Sequence, residues 1–282
     1  MISISAALDQ AVARLEAVKL PEARLDAKYL MAEVLNREHV GITLIGDEQL
    51  STDQLIAFHD LVDRRAEREP VSKIIQRRAF YGQDFIVSTG TLDPRADSES
   101  LIDLALSLPA ADTILDLGTG TGCLLLTYLR HRPNARGCGT DMSREAIAVA
   151  KDNAQSLGLT KRSELLLGSW IEPLNEGTTF DLIISNPPYI RDDEYNILQP
   201  EVQKWDPPLA LFAGKDGLNA YREIFSNIKK VCKTQSHLCL EIGIGQGEEV
   251  RKLANRGGWE FIKSKNDLGG IERALAFRLD QS

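Results

Sequence analysis

Cysteine is scarce in this sequence, and its placement excludes more than its number does. Cys123, Cys138, Cys232 and Cys239 are the full set. They offer no C-x-x-C pair and no zinc-ligand spacing, and each sits among apolar neighbours, so reduced core residues are expected. Histidine is equally sparse. His39, His59, His131 and His237 form no cluster along the chain, which leaves a metal site or a histidine-based triad without support. Positive charge is also short: the net charge is −8, against constitutive duplex-DNA binding, which rests on many Lys and Arg contacts to phosphate. No run approaches the roughly 20 apolar residues of a membrane span. The opening MISISAALDQAVARLEAVKL carries acidic residues and no basic region ahead of an apolar core, so it does not read as a signal or transit peptide. These absences point to the cytosol and away from a membrane.

What is present is ordinary for a folded protein. The hydrophobic and charged fractions of 43% and 26% suit neither disorder nor a fibrous fold, and 282 residues suffice for two modest domains. One stretch departs from the acidic average: Arg64, Arg65, Arg68, Lys73, Arg77 and Arg78 face only Glu67 and Glu69 within their segment. A solvated helix face followed by a loop is the favoured reading, and a docking patch for an acidic partner is the alternative.

The first 75 residues read as successive helices. Leu8, Ala11, Val12, Leu15 and Val18 form one stripe, with Ser3 or Ser5 as cap and Pro21 as terminator. Leu25, Leu30, Met31, Val34 and Leu35 form a second. Ser51 and Gln54 have capping-box spacing ahead of Leu55, Phe58, Leu61 and Val62, and Glu69-Pro70 closes that helix. Nothing in this half offers chemistry, so residues 1–75 are expected to be a helical recognition domain. Residues 76–97, rich in β-branched and aromatic residues and broken by Gly82 and Gly90, suggest a linking hairpin.

Beyond the hairpin, apolar runs alternate with amphipathic helical stretches. Strands are expected at 113–117, 135–141, 163–168, 180–185, 237–243, 259–264 and 273–279, with helices such as SREAIAVAKDNAQSLG and GLNAYREIFSNIKKVCK between them. That alternation predicts a mostly parallel α/β sheet covered on both faces, with ligands bound beyond the carboxyl ends of the strands. The first strand enters Gly118-Thr119-Gly120-Thr121-Gly122, a turn whose glycines permit close backbone approach to a ligand. A dinucleotide fingerprint would place a third glycine where Cys123 stands, which disfavours a nicotinamide-dependent dehydrogenase. Asp141, about 20 residues on, is placed to accept the hydroxyls of a ribose in any adenosyl ligand; its competing reading is a helix cap, for which Ser143 is better placed. Trp170 follows the third strand and could lie against an adenine, although a lone Trp is more often core.

The fourth strand, FDLIIS, runs into Asn186-Pro187-Pro188-Tyr189. Prolines lack a donor and fix φ, so the chain stops and stiffens there. An amide oxygen beside a backbone carbonyl gives two acceptors aimed at one point, which suits a planar NH₂ group. The combination resembles the adenosylmethionine-dependent methyltransferases of planar amino groups, and within them the HemK/PrmC family, which methylates the side-chain nitrogen (N5) of the glutamine in the Gly-Gly-Gln motif of peptide-chain release factors. DLGTGTG, NPPYI, EVQKWDPPLALFAGKDGLNAYREIF, EIGIGQGEEV and DLGGIERALAFRL carry the resemblance, with RRAEREPVSKII and FYG in the first half.

The resemblance implies a seven-stranded Rossmann-like class I methyltransferase sheet over residues 98–282, its last hairpin antiparallel. It implies S-adenosylmethionine as cofactor, with S-adenosylhomocysteine as product, held by Gly118 to Gly122, Asp141 and Trp170. Asn186 would lie between cofactor and substrate, and Asn186, Pro187, Pro188 and Tyr189 would form the substrate amide site. Release factors are the implied partners; a monomer is expected, and no stable DNA binding. A glutamine methyltransferase of a ribosomal protein and an adenine-N6 DNA methyltransferase are the alternatives, the latter because N-P-P-Y also serves nucleobase amines; a non-catalytic module of the same fold is a further one. Several positions depart from the family pattern: Gln76 where glycine is usual, Ala79 for an acidic residue, Asp93 before the linker, Pro94-Arg95-Ala96-Asp97-Ser98-Glu99 for P-R-P-(D/E)-T-E, and Ser169 before the tryptophan.

Overall fold

The computed structural model describes residues 2–279 and resolves into two compact units. The first runs to Arg77 and takes in Gln199–Trp205; the second comprises Arg78–Leu198 and the chain from Asp206 onward.

The first unit is built from α1 (Ile4–Ala17), α2 (Ala23–Leu35), α3 (Thr52–Ala66) and the short α4 (Val71–Ile74). Of the two candidate caps, Ser3 starts α1 by accepting from the Ala6 N–H, and Ser51 with Gln54 forms both bonds of the capping box on α3. Ala7, Ala11, Leu15, Ala27, Leu30, Met31, Phe58 and Val62 close around one apolar core. Leu25, assigned from its spacing to the inner stripe of α2, is 42% exposed; Ala23 and Ala27 take the inner face instead, small residues that let the helices approach.

The basic stretch divides: Arg64, Arg77 and Arg78 are exposed, as a solvated face requires, whereas Arg65 and Lys73 are buried. Arg65 is buried, its Nε 2.7 Å from Asp26 Oδ2 and its Nη1 3.4 Å from Glu201 Oε1. Arg68 also reaches Glu201, at 3.2 Å, and donates to the Val18 carbonyl. Arg64 grips Glu69 with two bonds of 2.8 and 2.6 Å. The positive charge ties this unit together internally, with an acidic partner, Glu201, more than 130 residues distant in sequence.

From the boundary at Arg77 onward, β1 (Arg77–Phe80) and β2 (Gln83–Ile86) form a two-stranded hairpin. Its two-residue turn has Tyr81 at φ 50° and Gly82 at φ 72°, the pair of positive φ values that matches hairpin twist. Then follow α5 (Glu99–Leu106), β3 (Thr113–Leu117), α6 (Cys123–His131), β4 (Arg136–Asp141), α7 (Arg144–Ser156), β5 (Ser163–Leu167), β6 (Phe180–Ser185), α8 (Pro200–Trp205, which belongs to the first unit), α9 (Asn219–Asn227), β7 (Cys232–Glu241), α10 (Gly247–Arg256), β8 (Trp259–Asn266) and β9 (Glu272–Leu279). The helix expected through Lys233 stops earlier: the chain tightens into a 3₁₀ turn at Ile228 and enters β7 at Cys232.

The sheet order is β5-β4-β3-β6-β7-β9-β8. Pairing is parallel from β5 to β7 and antiparallel for β9 with both neighbours. Strand residues alternate between two cores. Ile114, Leu182, Ile184, Cys239, Ala274 and Ala276 pack with α5, α6 and α7; Leu115, Leu117, Ile183, Leu238, Leu240, Leu275 and Phe277 pack with α9 and α10. Burial on both faces is why the strands read as continuous apolar runs. The four cysteines are free thiols. Among the described residues, no helix is long and apolar enough to cross a membrane.

Candidate active site

The chain turns to β4 on one side of β3 and later to β6 on the other, so the switch point lies at the carboxyl end of β3. The loops beyond these strands line a cleft of about 840 Å³, counting its mouth open to solvent. Gly118, Gly120, Asp141, Trp170, Asn186 and Pro188 all lie on its wall.

The glycine loop is held from behind. The Gly118 and Thr119 N–H groups both donate to the Thr140 carbonyl at 2.9 Å, and the Gly120 N–H donates to Asp141 Oδ2 at 2.9 Å. Gly118 and Gly120 sit at φ 68° and 56°, and no protein atom lies within 4 Å of where a Cβ on either would stand. A ligand can therefore come directly onto their backbone. Gly122 serves a different end, since a Cβ there would press on Leu126 at 3.1 Å and Ala150 at 3.3 Å. Thr119 and Thr121 are buried, so these two side chains shape the loop from inside.

Asp141 accepts from Gly120 on one oxygen and from the Ser143 N–H, at 2.8 Å, on the other. Each carboxylate oxygen keeps a second lone pair, enough to receive two vicinal hydroxyls. Ser143 caps α7 by accepting from Ala146, as its spacing suggested. Burial raises the Asp141 carboxyl above its usual range, against the bonds from Ser143 and Gly120. Trp170 adopts a left-handed φ of 44°, and its Nε1 donates to Glu223 at 2.6 Å, which fixes the indole plane at the cleft wall. Ser169, beside it, also lines the cleft.

At the end of β6, Asn186 Nδ2 donates to Ser98 Oγ at 3.1 Å, and Pro187 behind it is buried. Tyr189 does not line the cleft. Its ring packs toward the core beneath α9 and α10, its hydroxyl donates to Glu241 Oε1 at 3.4 Å, and its carbonyl accepts from Gln246 Nε2 at 2.9 Å. Burial and the adjacent Glu241 push its phenol up, so it stays neutral.

Three buried groups at this edge, Asp116, Glu241 and Ser98, were given no role in the sequence reading. Asp116, fully buried, accepts from the Thr119 hydroxyl at 2.6 Å, while its Oδ1 has no hydrogen-bond partner among the described residues; burial lifts its carboxyl to about 7. Glu241, at the end of β7, is lifted by burial to about 7 as well. Ser98, also buried, accepts from Asn186. The available signal was an acidic residue in the last two positions of a strand that runs apolar toward its end, in TILDL and again in HLCLE.

Two family models match the sequence: a PrmC N-terminal domain over residues 6–75 and a methyltransferase domain over residues 108–261. The release factor glutamine methyltransferase of Cereibacter sphaeroides is 43% identical over 273 residues, covering 97% of each chain. The chain belongs to the release factor glutamine methyltransferase family. A second member, from Rhodospirillum rubrum, is 38% identical across 96% of this chain and 83% of its own. Among solved structures, a methyltransferase from Pyrococcus furiosus superposes with a TM-score of 0.54 at 18% identity, covering 77% of this chain and 97% of that one. That likeness concerns the fold, and its class is the seven-stranded α/β sheet described above.

Proposed function

We propose that this enzyme binds S-adenosylmethionine in the cleft and methylates the side-chain amide nitrogen of the glutamine in the Gly-Gly-Gln motif of a release factor. The observation that carries the reading is the placement of Asn186 on the same wall as Gly118, Gly120 and Asp141, with its NH₂ already committed to Ser98. The family membership supports the substrate class.

The cleft fits the cofactor. Asp141 has two lone pairs for the ribose hydroxyls, the bare backbone of Gly118 and Gly120 admits close approach, and Trp170 offers a fixed indole face for the adenine. Bound there, S-adenosylmethionine supplies an electrophilic methyl carbon.

The chain's own residues do the positioning. An amide nitrogen is a poor nucleophile, because its lone pair is delocalised into the carbonyl. Asn186 Oδ1 and the Pro187 carbonyl accept the two hydrogens of the substrate NH₂, which orients the nitrogen and stabilises the positive charge that grows on it. The nitrogen's extra proton leaves to water, so no general base is needed. Tyr189, neutral and tied to Glu241, holds the bracket from beneath. Gly118, Thr119, Gly120, Thr121 and Gly122 form the cofactor loop, and Pro188 stiffens the substrate end.

Residues 1–75 recognise the protein substrate in this reading, residues 76–97 link, and residues 98–282 carry the chemistry. The cytosol, where free thiols persist, is its compartment, and it acts as a monomer. Mass spectrometry of a release factor incubated with enzyme and adenosylmethionine tests the whole: one added methyl on the Gly-Gly-Gln glutamine is expected. Parallel incubations with ribosomal protein and with duplex DNA separate the alternatives, and preferential transfer to either would overturn the reading. Asn186→Ala is expected to abolish most transfer while leaving adenosylmethionine binding intact.

A further inference from the structure

We infer that Gln246 is a positioning residue for the substrate end of the site, fixing Tyr189 and through it the Pro187 carbonyl. This rests on the proposed function, in which that carbonyl accepts from the substrate NH₂. Pro187 and Pro188 have no N–H to donate, so the stretch that must be aimed most closely has no backbone donor of its own to anchor it. Its anchors lie at its ends. Asn186 Nδ2 donates to Ser98 at the near end, and at the far end the Tyr189 carbonyl accepts from Gln246 Nε2 at 2.9 Å. Ile190, next in the chain, donates to Leu211 and accepts from Ala213, both at 2.9 Å. The proline rings fix φ at 187 and 188, so a displacement of Tyr189 passes back to the Pro187 carbonyl through few free torsions.

Gln246 is itself oriented at both ends. An amide side chain has a donor end and an acceptor end of almost equal shape, but here the partners choose between them. The Tyr189 carbonyl can only accept, and the Gly243 N–H, 3.0 Å from Gln246 Oε1, can only donate. One orientation satisfies both bonds and the other satisfies neither. The backbone is held as well: the Gln246 N–H donates to the Gly243 carbonyl at 3.1 Å, and the Gln246 carbonyl accepts from Val250 at 3.0 Å in the first turn of α10. The side chain thus leaves a closed turn that follows β7.

Two glycines make room for the contact. A Cβ on Gly217 would collide with the Tyr189 carbonyl oxygen and stand 2.7 Å from Gln246 Nε2; one on Gly243 would stand 2.8 Å from Gln246 Oε1 and 3.0 Å from the Tyr189 ring. A side chain at either position would push the amide off the carbonyl. NPPYI, KDGL and EIGIGQG therefore meet at one side chain, 57 residues from Tyr189 and 29 from Gly217, and the last two motifs gain a task that the cofactor cleft does not give them. Behind the turn, the fully buried Tyr221 donates to the Glu241 carbonyl at 2.9 Å and holds the end of β7. The cofactor loop is anchored separately, Gly118 and Thr119 to the Thr140 carbonyl and Gly120 to Asp141. Gln246 serves the substrate end alone.

The test compares Gln246→Glu with Gln246→Met. Glu keeps the length and the oxygen that accepts from Gly243 but removes the donor to Tyr189; Met removes both. In each variant kcat for release-factor methylation is expected to fall about 10²-fold, the loss that accompanies a small misplacement of a reacting group. Affinity for adenosylmethionine should stay at the wild-type value, and KM for the release factor should change far less than kcat. Wild-type kcat in the Glu variant would overturn the proposal, since closing the 243–246 turn would then be the side chain's only task. A loss of adenosylmethionine affinity as large as the loss in kcat would overturn it too, by showing a general loosening of the fold. The wild-type enzyme supplies a readout that needs neither a variant nor activity. In ¹⁵N spectra without ligand, one Gln246 side-chain N–H is expected to be shifted downfield and slow to exchange with solvent, and a freely exchanging pair would overturn the bond to Tyr189. A failure of the functional reading looks different: wild type would leave the release-factor glutamine unmethylated, while the Gln246 N–H remained protected.

Discussion

Gly120 and Asp141 are joined by a 2.9 Å bond from the Gly120 N–H to the carboxylate, linking the loop after β3 to the end of β4. With Ser143 donating to the other oxygen, the carboxylate is oriented before any ligand arrives. Asp141→Asn keeps one acceptor and turns an NH₂ toward the other donor. A bond to a charged group is worth about 1.5–3 kcal/mol, so affinity for adenosylmethionine is expected to fall by about 10- to 100-fold. Calorimetric titration measures this, and unchanged affinity would remove Asp141 from the cofactor wall.

The glycines of one loop separate by function. Gly120→Ala places a methyl where no protein atom lies within 4 Å, so the variant is expected to fold, with a left-handed penalty of about 1–2 kcal/mol, and to lose adenosylmethionine binding. Gly122→Ala pushes on Leu126 and Ala150, and overpacking of this kind costs about 1–3 kcal/mol in addition to the φ strain. Melting temperature and ligand affinity, measured on both, should rank the two variants in opposite orders.

The recognition role proposed for the first unit predicts a third separation. Val40 and Leu44 are 76% and 89% exposed on the turn of 3₁₀ helix His39–Ile45. Val40→Asp with Leu44→Asp should raise KM for the release factor and leave adenosylmethionine affinity and melting temperature alone. A KM equal to that of wild type would place the recognition surface elsewhere.

Arg65 shows where sequence reading stopped short. Charge spacing along 64–78 described a surface, because Asp26 and Glu201 are 39 and 136 residues away in sequence and no local pattern announces them. The strands, by contrast, were legible because burial on both faces writes itself into consecutive residues: 113–117 and 180–185 were read at their observed bounds. The cleft was legible in part: Gly118, Gly120, Asp141, Trp170, Asn186 and Pro188 line it, and Tyr189 does not. Gly118, Asp141 and Asn186 belong to motifs, whereas the bond from Asn186 to Ser98 joins residues 88 apart in sequence and exists only once the chain has folded. Gln76 marks an intermediate case: its φ of 53° explains why glycine is usual there, and nothing in the surrounding sequence reveals the conformation. For Arg65→Ala the expectation is a loss of about 3–5 kcal/mol, the cost of stranding a buried charge, against at most about 1 kcal/mol for Arg77→Ala, whose pair with Glu33 is half exposed at 3.7 Å. Chemical denaturation checks the ranking.

Asp116 predicts a pH signature of its own. Its carboxyl is raised from 3.8 to about 7 by burial, with Thr119 opposing and the nearby Asp141 adding to the rise. The folded state therefore holds a proton between about pH 4 and pH 7 that the unfolded chain has released. Stability falls wherever the folded state binds more protons as pH climbs, so this residue contributes most below pH 4 and its contribution declines until about pH 7. Asp181 and Asp216, held down by Lys233 and Arg222, act on the acid side of that window, and His237, whose pKa is lowered by burial, acts against the slope inside it. The total curve thus mixes several groups, but the difference between wild type and Asp116→Asn isolates one. Asparagine keeps an oxygen for the Thr119 hydroxyl and has no proton to lose. Melting temperatures taken from pH 4 to pH 8 should show the variant gaining on wild type steadily up to about pH 7 and no further. A difference that stayed flat across the range would mean that Asp116 titrates in the folded protein as it does in the unfolded chain.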